Sequence, residues 1–280
     1  MKIIAKNSDK LIKFLIHNVQ GLSFGKAQKM LRTGDIKVNN KRTKENINIV
    51  AGDEIDIYLK EKSKPQIEII YEDDNILIVN KPAGMECATR DKSSENTYSL
   101  EEIFADKNAI VVHRLDRLTE GLVILAKSKN IAIEMEEIFR TRQIHKSYIA
   151  GVKGNCNLDG MYTAYLTKDS KNALVSISDK PSQYSKEIMT EFHLKEKIND
   201  ISIINVTLHT GRTHQIRAHL NYLGYPIVND SKYGKDKAII NNKYSGYFLT
   251  AYKLTFEISG KLKYLNEYQF ETNPTWIQYV

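Results

Sequence analysis

The chain has 280 residues, 41% of them hydrophobic and 27% charged, with a formal net charge of +7. That length accommodates one large domain or a large and a small one, and the composition is that of a globular protein. No apolar run approaches the roughly 20 residues of a membrane-crossing helix, and two distant cysteines, Cys87 and Cys156, make neither a disulfide framework nor a zinc site.

The start, MKIIAKNSDKLIKF, carries spaced lysines and no continuous apolar core, so it does not read as a secretory signal. With so few cysteines, a reducing cytoplasm is the expected setting. Residues 9–19, DKLIKFLIHNV, predict a short amphipathic helix capped by Ser8 or Asp9. Residues 23–33, SFGKAQKMLRT, predict a second helix, capped by Ser23 and stopped by Gly34. Ala27, Met30 and Leu31 fall on one side of it, and Lys26, Lys29 and Arg32 on a neighbouring arc. DIKVNNKR predicts a strand and a turn at Asn39-Asn40, with Lys37, Lys41 and Arg42 adding charge. INIVAGDEIDIYL closes the module with two short strands around Ala51-Gly52.

Residues 1–60 hold twelve Lys/Arg against six Asp/Glu, whereas the other 220 hold twenty-nine against twenty-eight. The basic surplus therefore sits in the small module, which suits contact with a polyanion. Two short helices followed by a hairpin sheet, with cations on the second helix and the turn, resemble the S-four-type RNA-binding domain. Residues 61–69, charged and containing Pro65, read as a linker to a body over 70–280.

In that body, strands are predicted at Ile76–Val79, over GLVILA, IHKSYIAGV and ISIINVTL, and late at YFLTAYKLTFE. Helices are predicted at about 130–142, with Ile131, Met135, Ile138 and Phe139 inward, and after TGRTH, ended by Gly224. Many strands, few helices and irregular connections predict an α+β fold with a largely antiparallel sheet.

Three segments call for a chemical explanation: HRLDRLTEG, KSYIAGV and TGRTHQIRAH. The first places one carboxylate, Asp116, between Arg114 and Arg117 just ahead of an apolar strand. The second puts Lys146 and Tyr148 on one side of a strand. The third crowds two arginines and three histidines around a turn and a helix start. With YEDDNILIVNKPAG before them and NYLGYPIVND after, in this order and at fitting distances, they resemble the ribosomal large-subunit type of pseudouridine synthase, across nearly the whole chain.

The resemblance implies an isomerase acting on uridine in RNA, with large-subunit ribosomal RNA the expected substrate. It implies Asp116 as the catalytic carboxylate, Tyr148 in the uracil pocket and Arg217 as the aspartate's partner. It also implies that Arg114 fills space left by a flipped nucleotide, and Arg117 and Arg212 are expected to face RNA with it. Leu118 and Glu120 stand where polar or small residues are more usual, and Thr250 where many members have histidine. These departures bear on substrate choice rather than chemistry.

The residue types make sense for such a reaction. A carbon–nitrogen glycosidic bond breaks, the base turns, and a carbon–carbon bond forms to the same sugar. No atom enters or leaves, so no metal, nucleotide or redox cofactor is expected. One carboxylate serves, either as nucleophile or as a base toward a sugar proton. A guanidinium beside it favours the ionised form, and its fork suits a two-bond grip. Tyr148 would stack on the uracil, with its hydroxyl available to help remove the proton left on carbon 5.

Two other functions compete. One is a non-catalytic RNA-binding or ribosome-assembly factor, against which stands the joint presence of Asp116, Tyr148 and Arg217. The other is a metal-dependent hydrolase using His209, His214 and His219. Five-residue spacing takes the last two off a common helical face, and hydrogen bonding is the expected role of these histidines. The Lys81-Pro82-Ala83-Gly84 segment is expected to be a rigid turn, and a monomer is the default assembly.

Overall fold

In the computed structural model, which describes residues 1–58, 64–89, 98–169, 174–234 and 241–280, the chain divides into two units. They are Met1–Lys64, and Pro65–Thr89 with Tyr98–Val280.

The first unit runs β1 (Lys2–Ile4), β2 (Asp9–Lys10), α1 (Leu11–Asn18), α2 (Phe24–Thr33), β3 (Ile36–Val38), β4 (Lys41–Arg42), β5 (Asn48–Ile49) and β6 (Glu54–Ile57). Helix α2 forms as its sequence predicts: the Ser23 hydroxyl accepts from the Lys26 amide, and Gly34 at φ +72° ends the helix. Helix α1 is shorter than predicted, and neither Ser8 nor Asp9 caps it. Asp9 and Lys10 are drawn into pairing with β5, and the cap comes from afar, as Asn46 Oδ1 accepts from the Ile12 amide at 2.9 Å. Asn39 and Asn40 both take positive φ, making the tight turn that registers Val38 against Lys41. β6 is central in a sheet of order β1-β6-β3-β4, while β5 pairs with β2 instead of its sequence neighbour. Leu11, Leu15, Ala27, Leu31, Ile36, Ile49, Ile55 and Ile57 form the core.

The second unit begins with β7 (Glu68–Glu72), which starts inside the stretch read as linker; residues 61–63 of that stretch lie outside the described residues. There follow β8 (Ile76–Lys81), α3 (Leu100–Ile103), β9 (Ile110–Val111), β10 (Glu120–Ala126), α4 (Lys129–Arg140), β11 (Ile144–Lys153), β12 (Asp159–Asp169), β13 (Leu174–Ser178), β14 (Lys186–Ile198), β15 (Ile201–Leu208), α5 (Gln215–Tyr222), α6 (Ser231–Gly234), β16 (Leu249–Phe256) and β17 (Phe270–Glu271). The sheet order is β13-β12-β14-β15-β11-β16-β10-β8-β7, with β9 and β17 at its margins. Its pairings are antiparallel except β10 with β16. The largely antiparallel α+β expectation is met.

The strands β8 and β10 are apolar on both faces because both faces are covered. Ile76, Ile78, Leu122 and Ile124 meet Ile131, Met135 and Ile138 of α4 on one side. Leu77, Val79, Val123 and Leu125 join the second core, which includes Phe248 and Trp276, on the other. At the parallel junction, Gly121 has φ +117°, and a Cβ there would stand 2.3 Å from the Ala251 carbonyl oxygen. Only glycine lets β10 approach β16 so closely. That approach seats the start of β10 against β16, which in turn pairs with β11.

Candidate active site

Asp116 lies in the loop entering β10, where its carbonyl accepts from the Thr119 amide at 3.0 Å. The loop is fastened from beneath. Gly84 N donates to Arg117 O at 2.7 Å, and Tyr247 N donates to Leu118 O at 2.9 Å. Lys81, fully buried, donates to the carbonyls of Pro82, Met85 and Arg117 at 3.0, 3.0 and 3.3 Å. The segment expected as a rigid turn therefore clamps the Asp116 loop with an ammonium group.

Burial pushes the Lys81 pKa down to about 8, although Cys87 and Asp116 work the other way. A lysine held below its unfolded value of about 10.4 leaves the unfolded chain binding more protons between those two values, so stability rises with pH there. Wild type should accordingly gain on Lys81→Met between pH 7.5 and pH 10. Denaturant midpoints of both proteins at the two pH values measure this, and a constant difference between them would contradict it.

Arg217 projects from α5 and is 2% exposed. Its Nη1 donates to Asp116 Oδ2 at 2.7 Å. The two-bond grip expected for Asp116 goes elsewhere: Nε and Nη2 donate to the two carboxylate oxygens of Asp230 at 2.7 and 3.0 Å. The fork is filled by the more deeply buried acid, because a buried guanidinium must spend its donors on fixed partners. Burial opposes the Arg217 charge, but the Asp230 hydrogen bonds and charge, with that of Asp116, outweigh it and raise its pKa. Its guanidinium also lies over the ring of Tyr247, 4.1 Å from the centroid.

Asp116 keeps 23% of its side chain exposed, and that part faces a cleft of about 270 Å³. The lining includes Arg114, Thr119, Lys146, Tyr148, Arg212 and His214. Tyr148 is 6% exposed, and burial, reinforced by the Asp116 charge, raises its pKa. The phenol therefore stays protonated at neutral pH. Thr119 contributes a buried hydroxyl that has no hydrogen-bond partner among the described residues.

Arg114 and Arg212 are exposed at the cleft, whereas Arg117 is exposed outside the residues that line it. In the first unit, Lys29, Arg32, Lys41 and Arg42 are exposed, and Lys26 and Lys37 are half-buried, Lys37 lying over the Tyr58 ring.

The three histidines go separate ways. His209 pairs with Glu191 at 3.0 Å, and His219 is buried against Thr190, its pKa lowered to about 4 by burial. His214 adopts φ +55° just before α5, with Nε2 3.7 Å from Asp116 Oδ1. The Tyr233 hydroxyl accepts from Val175 N, which leaves its proton for His214 Nδ1 at 2.7 Å. Among the described residues no cluster of three His, Cys, Asp or Glu side chains forms a metal site.

Glu120 and Thr250, expected to bear on substrate choice, turn out to touch each other outside the cleft lining. The Glu120 carboxylate, 3% exposed, accepts from the hydroxyls of Thr250 and Tyr244 at 2.7 Å each and from Thr275 N at 2.8 Å. Trp276 Nε1 donates to Thr250 Oγ1 at 2.8 Å. The pair ties the end of the chain to β10, a packing role that no local pattern announces.

The single carboxylate at a base-sized cleft, held by a buried guanidinium, meets a match at the level of whole sequences. Residues 75–222 match the family described as RNA pseudouridylate synthase.

The chain belongs to the RNA pseudouridylate synthase family. It is a pseudouridine synthase, an isomerase of uridine in RNA, and the matched span contains Asp116, Tyr148 and Arg217.

Among its relatives, the ribosomal large subunit pseudouridine synthase C of Buchnera aphidicola is 34% identical over 271 residues, 86% of this chain and 84% of that one. An uncharacterized RNA pseudouridine synthase of Mycoplasma capricolum is 33% identical, with 98% of each chain covered. The solved structure of human RNA pseudouridylate synthase domain containing 4 superposes with a TM-score of 0.57 at 19% identity, covering 74% of this chain and 88% of that one, which is a likeness of fold.

Proposed function

We propose that this synthase converts specific uridines of large-subunit ribosomal RNA, with Asp116, Tyr148 and Arg217 as its catalytic set. The observation that carries the reading is the Asp116–Arg217–Asp230 chain. Two carboxylates share one guanidinium, so the outer carboxylate is oriented at the cleft while its partner is locked from behind. The target base leaves its helix or loop at a cost of a few kcal/mol. Tyr148 offers an apolar ring to the extruded uracil, and Arg114 at the rim occupies the space left behind. Asp116 brings its anionic oxygen to the sugar as nucleophile or base, and the N1–C1′ bond breaks with its electron pair going to the uracil. The turned base closes the C5–C1′ bond, its carbon 5 proton passing to solvent in the cleft while N1 takes one up. The ribosomal substrate rests on the relatives named for that activity.

The first unit acts in this reading as an S-four-type RNA-binding domain. The exposed Lys29, Arg32, Lys41 and Arg42, with Lys26 and Lys37 beside them in sequence, track phosphates without reading bases. Changing Lys29, Arg32, Lys41 and Arg42 together to glutamine should weaken RNA binding. Its log–log salt slope should flatten by about 0.7–0.9 for every phosphate that the protein then leaves to its counterions. An unaltered slope in filter binding would show that this surface faces something else.

The test of the function itself is a pseudouridine map of ribosomal RNA from cells with and without the gene. A position that loses the modification and regains it with wild type, but not with Asp116→Asn, names the target. Identical maps would favour a non-catalytic assembly factor.

A further inference from the structure

Besides Asp116, which is paired with Arg217, the cleft is lined by a cation with no such partner. Lys146 on β11 is partly buried and lines the same cleft as Asp116 and Tyr148. Among the described residues no carboxylate, hydroxyl or carbonyl reaches its ammonium group. The Phe139 ring lies near it, 5.3 Å from Nζ to the centroid. Burial lowers its pKa with no anion to offset the effect, and its charge in turn helps to keep His113 neutral.

An enclosed ammonium without an acid is costly, and proteins keep such groups where a ligand supplies the missing anion. Lys81 shows the contrast in the same unit: its ammonium is saturated by three carbonyls and stands outside the cleft lining. The turn in front of Lys146 is also open. A Cβ added at Gly211 would lie 3.7 Å from its Nζ, so the absent side chain leaves the ammonium approachable from the rim where Arg212 is exposed. Uracil is neutral and cannot offset the charge, whereas each RNA nucleotide brings one phosphate.

We propose that Lys146 binds a backbone phosphate adjacent to the target uridine, fixing the extruded nucleotide over Tyr148. This rests on the RNA-modifying reading above and adds the interaction that registers the strand in the cleft.

The experiment is single-turnover pseudouridine formation on a ribosomal RNA transcript carrying the mapped target, at several enzyme concentrations between 50 and 200 mM KCl. Lys146→Met should raise the half-saturating enzyme concentration about tenfold and lower the log–log salt slope by about 0.7–0.9, with the saturated rate kept within about threefold. Lys146→Arg should keep the wild-type slope, and Lys146→Gln should behave as the methionine variant if that one does not fold. In a synthetic fragment, a neutral methylphosphonate on the 5′ or the 3′ side of the target should weaken wild type but leave Lys146→Met nearly unaffected at one of the two positions. An unchanged slope, a loss confined to the saturated rate, or equal methylphosphonate penalties in both enzymes would overturn the assignment. A wild-type enzyme inactive on the transcript would instead overturn the choice of substrate.

Discussion

Asp116→Asn should lower the single-turnover rate of pseudouridine formation by on the order of 10⁴-fold, while RNA affinity stays within about threefold. The substitution removes one charge and almost no volume. An asparagine carbonyl still accepts from Arg217 Nη1, where the carboxylate Oδ2 now lies at 2.7 Å, so the loop and the cleft keep their shape. What disappears is the negative charge of the carboxylate that lines the cleft. Unaltered thermal unfolding alongside the abolished activity would separate chemistry from folding. A variant that modifies its target at the wild-type rate would remove Asp116 from the mechanism altogether.

The largest effect on stability is expected at a residue that never meets substrate. Asp230→Ala strips two hydrogen bonds from a guanidinium that is 2% exposed and leaves its charge to a single bond with Asp116. Breaking one side of a buried pair costs about 3–5 kcal/mol, because the remaining charge is neither solvated nor matched. Asp230 Oδ1 also accepts from Tyr233 N at 3.2 Å, so the damage spreads to the tyrosine that orients His214. Urea unfolding should register the whole penalty, with activity falling as Arg217 loses its fixed direction. Arg217→Met combined with Asp230→Leu should recover most of the stability and none of the activity, since the uncompensated charge is gone but so is the partner of Asp116. If Asp230→Ala unfolds within about 1 kcal/mol of wild type, the Arg217 site is more solvated than its burial indicates.

What the two variants probe differs in how far it could be seen in advance. Asp116 stands out in the sequence because a lone acid between two arginines ahead of an apolar strand is an unusual local pattern. Asp230 does not stand out: it lies 13 residues past Arg217, beyond the helix, and nothing near it in the chain marks it as buried. The same holds for Lys81, legible as part of a turn but not as an ammonium clamp under the Asp116 loop. Glu120 and Thr250 could be noticed singly, yet their 2.7 Å hydrogen bond joins two strands far apart in sequence.

Secondary structure divides along a similar line. Strands with clear alternation or fully apolar runs, such as Ile201–Leu208 and Glu120–Ala126, declare themselves. The long pair β12 and β14 carries no such signal, because its mix of charged and apolar residues reflects faces that are covered only in part.

The sequence by itself determined the class of fold and the family, because hydrophobic period and short motifs are properties of neighbouring residues. Tertiary structure alone decided which acid takes the arginine's fork, which lysine is saturated and which is left open to a phosphate. Those outcomes depend on burial and on donor–acceptor distances, and both come into being only when remote segments are brought together and water is removed from between them.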